Sequence, residues 1–156
     1  DMQASPGIPF PHRVTAAHSA ELLDVIRNVQ QRDNLPAWMM GFSAGGPSAA
    51  NVAIAAPPST PFGLILMSPN TGVDPHLLSM NLEAIQRPTL LLTHASDSCQ
   101  GTSPANAPVV MSRLSATEAR RHGSFTGGSA GTRGGGCDTT GSSLTRTIHE
   151  AVCPSE

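Results

Sequence analysis

The 156 residues carry 38% hydrophobic and 13% charged side chains, the balance of one globular domain over 1–156 rather than a disordered chain. The formal charge is −2 at pH 7, and the nine basic residues, all arginine, are scattered, which argues against nucleic acid as a partner. No apolar run approaches the roughly 20 residues that cross a bilayer, so a membrane partner is not expected either.

The chain starts at Asp1 without a methionine or a charged-then-apolar leader, so it is expected to be processed, trimmed or a fragment. Residues 1–14 hold three prolines and read as a loop. Leu22, Ile26 and Val29, with Leu23 beside them, then recur on one helical face. They predict a helix over 16–31 with Thr15 as its N-cap. Three short apolar runs follow: AWMMGF at 37–42, FGLILMS at 62–68 and PTLLLTH at 88–94. Each is continuous rather than alternating, as expected of strands buried on both faces of a parallel sheet. A small-residue helix over 46–56 separates the first two, and a helical turn over 77–85 precedes the third. A helix over 106–115 and a strand within 116–125 come next. Eight of the fifteen glycines fall between Gly123 and Gly141, predicting a long loop, and 143–152 reads as a closing amphipathic helix. The alternation predicts an α/β domain of three layers, α/β/α, around a mostly parallel sheet.

Gly41-Phe42-Ser43-Ala44-Gly45 matches G-x-S-x-G at the end of an apolar run and the start of an alanine-rich helix. That setting suits a nucleophile elbow. A strand-to-helix turn this tight forces the serine into strained angles, and side chains at 41 and 45 are expected to clash. The turn lifts Ser43 Oγ clear of the sheet and offers the Ala44 N–H to an oxyanion. Asp97, in LTHASDSC, falls just past the third strand, at the end of a parallel sheet where chemistry gathers. It follows the serine by 54 positions and obeys the chain order Ser, Asp, His. The bland alternatives are a serine in a glycine-rich turn and a loop-capping aspartate.

The segments PAWMMGFSAGGPSAANVAIA and NLEAIQRPTLLLTHASDSCQGTSP resemble the C-terminal half of α/β-hydrolase-fold proteins. The likeness is greatest to small bacterial hydrolase-like proteins with a cysteine after the acid and another near the histidine loop. It runs to about Val152 and implies a partial α/β-hydrolase fold lacking the N-terminal strands. By that resemblance the second half of the oxyanion hole, and the strand that neighbours 37–42, belong to the absent half. An apolar edge left bare invites association, so a missing segment, a second chain or a second copy in a homo-oligomer is expected to cover 37–42.

The resemblance places the base near Ser143, where there is no histidine. His122, 25 residues past Asp97, and His149, on the last predicted helix, are the substitutes that keep the chain order. His18 is expected to pack near the elbow or cap a loop, His94 to be structural, and His12 and His76 to lie in loops. Composition leaves open whether the three cysteines are free or include one bridge. The resemblance implies a Cys99–Cys137 disulfide, with Cys153 unpaired. Such a bridge closes about 38 residues, contributes about 3–4 kcal/mol, and favours a secreted or periplasmic location.

The resemblance thus implies a serine hydrolase acting on a small ester or related acyl substrate, with Ser43, Asp97 and a histidine, and needing no metal or organic cofactor. The competing reading is a degenerate hydrolase-fold module that binds without turnover, or an inactive fragment. A nucleotide-binding domain fits poorly, since GFSAGG has neither G-x-G-x-x-G spacing nor a P-loop lysine.

Overall fold

The structure, a computed structural model, describes residues 9–117, 119–126, 131–133 and 136–138, the last two segments as backbone only. A 3-10 turn, Phe10–Val14, leads into helix α1, Ala16–Asp33. Thr15 caps α1 as its spacing predicts: its hydroxyl accepts from the His18 N–H at 3.2 Å and donates to the His12 carbonyl at 2.8 Å. Asn34 ends the helix in the left-handed conformation, at φ 49°.

Strands β1 (Ala37–Phe42), β2 (Phe62–Met67), β3 (Thr89–His94) and β4 (Arg120–Phe125) form an all-parallel sheet in the order β1-β2-β3-β4. Helix α2, Gly45–Ala55, crosses between β1 and β2, and helix α3, Ala107–Arg113, precedes β4. A short antiparallel pair, β5 (Gly131–Arg133) and β6 (Gly136–Asp138), stands where the glycines predict only loop. The predicted helix over 143–152 lies outside the described residues.

Register explains the layering. Met39 pairs with Leu64, and Gly41 with Leu66, which pairs with Leu91. Leu64, Leu66 and Leu91 join one core with Leu23 and Ile26 of α1, Ala49, Val52 and Ala53 of α2, and Val110 of α3. All three described helices therefore cover one face of the sheet. On the other face Ile65, Leu90, Leu92 and Phe125 form a second, smaller cluster.

Two expectations change. First, β1 is not buried on both faces: Trp38, Met40 and Phe42 are 42%, 53% and 40% exposed, alternating with partly or fully buried Ala37, Met39 and Gly41. The sequence AWMMGF is apolar throughout, so its alternation appears only once β1 takes the edge of the sheet. Second, the helical turn expected over 77–85 is present but divided into two 3-10 turns, Leu77–Ser79 and Leu82–Ala84. Leu77, Leu82 and Ile85 are all fully buried. A regular helix would turn Leu77 and Leu82 about 140° apart at 3.6 residues per turn; extended backbone at Met80 (ψ 161°) brings them to one core.

Candidate active site

Ser43 follows β1 at its C-terminal end with φ 48°, a left-handed conformation that costs a non-glycine residue about 1–2 kcal/mol. Its surroundings hold it there. The Ser43 N–H donates to the Met67 carbonyl at 3.1 Å, and its carbonyl accepts from the N–H groups of Gly46 at 3.0 Å and Asn70 at 2.8 Å. The turn is tight because α2 lies directly on β1. A Cβ on Gly41 would meet the Gly45 carbonyl oxygen at 2.5 Å and Ala49 Cβ at 2.8 Å. Gly45, expected to clash in the same way, does not: a Cβ there meets nothing within 4 Å among the described residues. The second glycine that packing requires is Gly46, whose Cβ would strike Pro69 Cβ at 2.6 Å.

Among the described residues, Ser43 Oγ and the Ala44 N–H make no hydrogen bond. Ala44 stands at the N-cap of α2 with φ −62° and ψ −18°. The positive end of that helix therefore lies beside Ser43, a setting that favours developing negative charge.

Asp97 lies past the C-terminal end of β3, at the same end of the parallel sheet as Ser43 and two strand spacings across it, about 10 Å. It is buried, its carboxylate accepting from the Cys99 N–H at 3.0 Å and the Thr102 hydroxyl at 2.8 Å. Hydrogen bonds stitch the two loops together through the loop after β2. Asn70, whose N–H reaches Ser43, accepts on its side-chain oxygen from the Gly72 and Val73 N–H groups. Its side-chain amide donates to the Val73 and Pro75 carbonyls. The Thr71 N–H donates to the Gly101 carbonyl at 2.6 Å, and the Asn106 amide to the Thr71 hydroxyl at 2.9 Å. Ser68 adds a second positive φ, 36°, and a buried hydroxyl without a partner among the described residues.

Sequence reasoning assigned no specific role to Ser68, Asn70 or Thr71. The turn-forming cluster SPNTG, directly after a strand, is the signal that could have found them.

Among the described residues, His12 and His18 lie together, while His94 and His122 stand on β3 and β4. His122 sits on β4 opposite Leu91, with Nε2 2.9 Å from the Thr93 hydroxyl. Partial desolvation of its ring lowers its pKa below the usual 6.5, although the residue as a whole is exposed. Its ring is hydrogen-bonded to Thr93, and three strand spacings, about 14 Å, separate β4 from β1, the strand that ends at Ser43. His94 is buried, packs edge-on against Phe125 and accepts from the Ser96 N–H. His18 is buried on α1, where desolvation first and His12 second lower its pKa. His149 lies outside the described residues.

A groove of about 670 Å³, lined by Trp38, Pro61, Phe62 and Pro88 among others, opens at the N-terminal ends of β1 and β2, away from Ser43. That groove includes none of Ser43, Met40 and Phe42. Met40 and Phe42 instead lie exposed on the uncovered face of β1.

No family model matches the chain, and no curated protein matches it. Among solved structures it is similar to a PEG-bound, cold-adapted esterase from an Arctic intertidal metagenomic library, at TM-score 0.55 and 15% identity. The match covers 72% of this chain and 47% of the esterase, so the chain spans about half the length of the protein it matches. Likeness at this identity shows the fold alone: an α/β architecture consistent with part of the α/β-hydrolase fold.

Proposed function

We propose that this chain carries the nucleophile half of a serine hydrolase of the α/β-hydrolase class, acting on an ester or related acyl substrate. Ser43 Oγ attacks the acyl carbon, the Ala44 N–H receives the oxyanion, and Asp97 orients the imidazole that takes the serine's proton. The reaction so written needs no metal or organic cofactor. The observation that carries the reading is the left-handed Ser43, held between β1 and α2 at the same end of the sheet as the buried Asp97. Because His122 is held on Thr93 across the sheet, His149 is the base we propose. A fluorophosphonate probe is expected to label wild type and His122→Ala, and to leave Ser43→Ala unlabelled and His149→Ala nearly so.

One observation favours a second reading, a binding module without turnover. The Asp97 carboxylate already accepts two hydrogen bonds from its own loop, from Cys99 and Thr102. If wild type resists the probe altogether, this reading stands and the enzyme does not.

Two further proposals concern how the site is held. The Cys99–Cys137 bridge is supported by Cys99 being buried and already partnered, two residues after the acid. Titration under denaturing, non-reducing conditions is expected to find one thiol per chain; three would end the proposal. Cover for β1 is supported by its edge position and by the exposure of Trp38, Met40 and Phe42, with Val25 and Val29 of α1 close by. We propose a second copy or second chain on that edge. Sedimentation of the 156-residue chain is then expected to show a dimer that Met40→Lys dissociates, and a concentration-independent monomer would rule out the second copy.

A further inference from the structure

The 3-10 turn and the first two turns of α1 bring together three side chains that the hydrolase reading does not use. His12 comes from the turn, and His18 and Glu21 lie three residues apart on one face of α1. One ligand atom from each lies within 4.8 Å of the others. His18 Nδ1 is 3.9 Å from Glu21 Oε2, too long for a hydrogen bond and close to the spacing of two ligands on one ion. Tetrahedral ligands at Zn–N and Zn–O lengths of 2.0–2.2 Å stand about 3.4 Å apart. Only a small closing movement is needed, and His12 and Glu21, both exposed, are free to make it.

His18 supplies an independent pointer. It is 5% exposed, yet its Nδ1 is a buried polar atom with no hydrogen-bond partner among the described residues. A native chain rarely leaves such an atom unsatisfied. This one faces the carboxylate of Glu21, and the His12 ring lies 5.3 Å away, tilted at 55°. The backbone on both sides is fixed in advance, since the Thr15 hydroxyl joins the His12 carbonyl to the His18 N–H.

The geometry points to His12, His18 and Glu21 as a three-ligand site for a divalent transition-metal cation of the zinc class. Two imidazoles and one carboxylate suit that class better than calcium or magnesium, which take oxygen ligands. A fourth position stays open to water. The ion would tie the 3-10 turn to α1 and satisfy the orphaned Nδ1. Two features weaken the site's hold on a cation. Arg13 adds positive charge near His18, and the site sits by the positive end of α1.

The test uses the full 156-residue chain, without a histidine tag and stripped by chelator. Zn²⁺ is titrated by calorimetry and Co²⁺ by visible absorption. One ion per chain is expected. His12→Ala and Glu21→Gln are each expected to weaken Zn²⁺ binding by about tenfold or more, as loss of a ligand should. Both positions are exposed, and metal-free unfolding curves that overlay wild type verify that the variants fold. Absence of saturable binding overturns the site, as does affinity unchanged in both variants. A cobalt–thiolate charge-transfer band would assign the ion to the cysteines and overturn it equally. None of these outcomes depends on whether Ser43 is a nucleophile.

Discussion

Gly41→Ala is expected to destabilise the chain by about 3 kcal/mol or more, while Gly45→Ala leaves it within about 0.5 kcal/mol of wild type. At position 41 the new methyl would lie 2.5 Å from a backbone oxygen and 2.8 Å from Ala49 Cβ. No rotamer relieves that contact, so α2 must move off β1. Overpacking of this kind costs 1–3 kcal/mol, and more where backbone has to shift. The loss is also not local. Ala49, Ala50, Val52 and Ala53 of α2 are 0–3% exposed in the main core, so lifting the helix opens that core. At position 45 the methyl meets no described atom, and alanine is the better helix former, which offsets any small loss. Chemical denaturation of the two variants decides the matter. Equal losses would mean that both glycines are packed alike, and that the approach of α2 to β1 is not what fixes the elbow.

Arg87→Ala should cost roughly 3 kcal/mol. Arg87 is 7% exposed, and its guanidinium has no carboxylate partner among the described residues. It donates instead to three carbonyls: Thr60 at 2.5 Å, Ala56 at 2.9 Å and Pro57 at 2.6 Å. Two of these leave the C-terminal end of α2, where a cation is favoured by the helix dipole. The charged group also lies 4.3 Å over the Phe62 ring. Burial lowers its pKa, but an arginine remains charged at neutral pH. Truncation strands three carbonyls at about 1 kcal/mol each and empties the space over Phe62. Arg87→Lys should recover less than half of the loss, because an ammonium lacks the planar fork. A loss below about 1 kcal/mol for Arg87→Ala would show that water replaces the guanidinium without penalty.

The parts of the fold that were readable in the sequence rest on local pattern. Thr15 caps α1 where a threonine precedes an amphipathic run, and continuous apolar runs gave β2 and β3 as strands buried along their length except at Met67. The same rule misread β1, because an edge and a central position differ in neighbours and not in composition. The role of Asn70 was hidden for a related reason. SPNTG marks a turn after the strand, but not that its asparagine ties Ser43 to the following loop. G-x-S-x-G spacing pointed to Gly45, whereas the contact that matters at the second position involves Gly46 and Pro69, 23 residues away. His12 and His18 were assigned to a loop and to packing because they come from different elements, and only the turn at Thr15 brings them together.

Ser43 occupies a strained corner, which we propose is maintained for its chemistry. Ser43→Gly measures strain and chemistry in one chain. Relief of the left-handed φ gains about 1–2 kcal/mol, and the added freedom of glycine in the unfolded chain takes back 0.5–1. The variant should therefore be more stable than wild type by roughly 0.5–1 kcal/mol, and the fluorophosphonate probe should no longer label it. A Ser43→Gly chain that is no more stable than wild type, or that the probe still labels, would contradict the account.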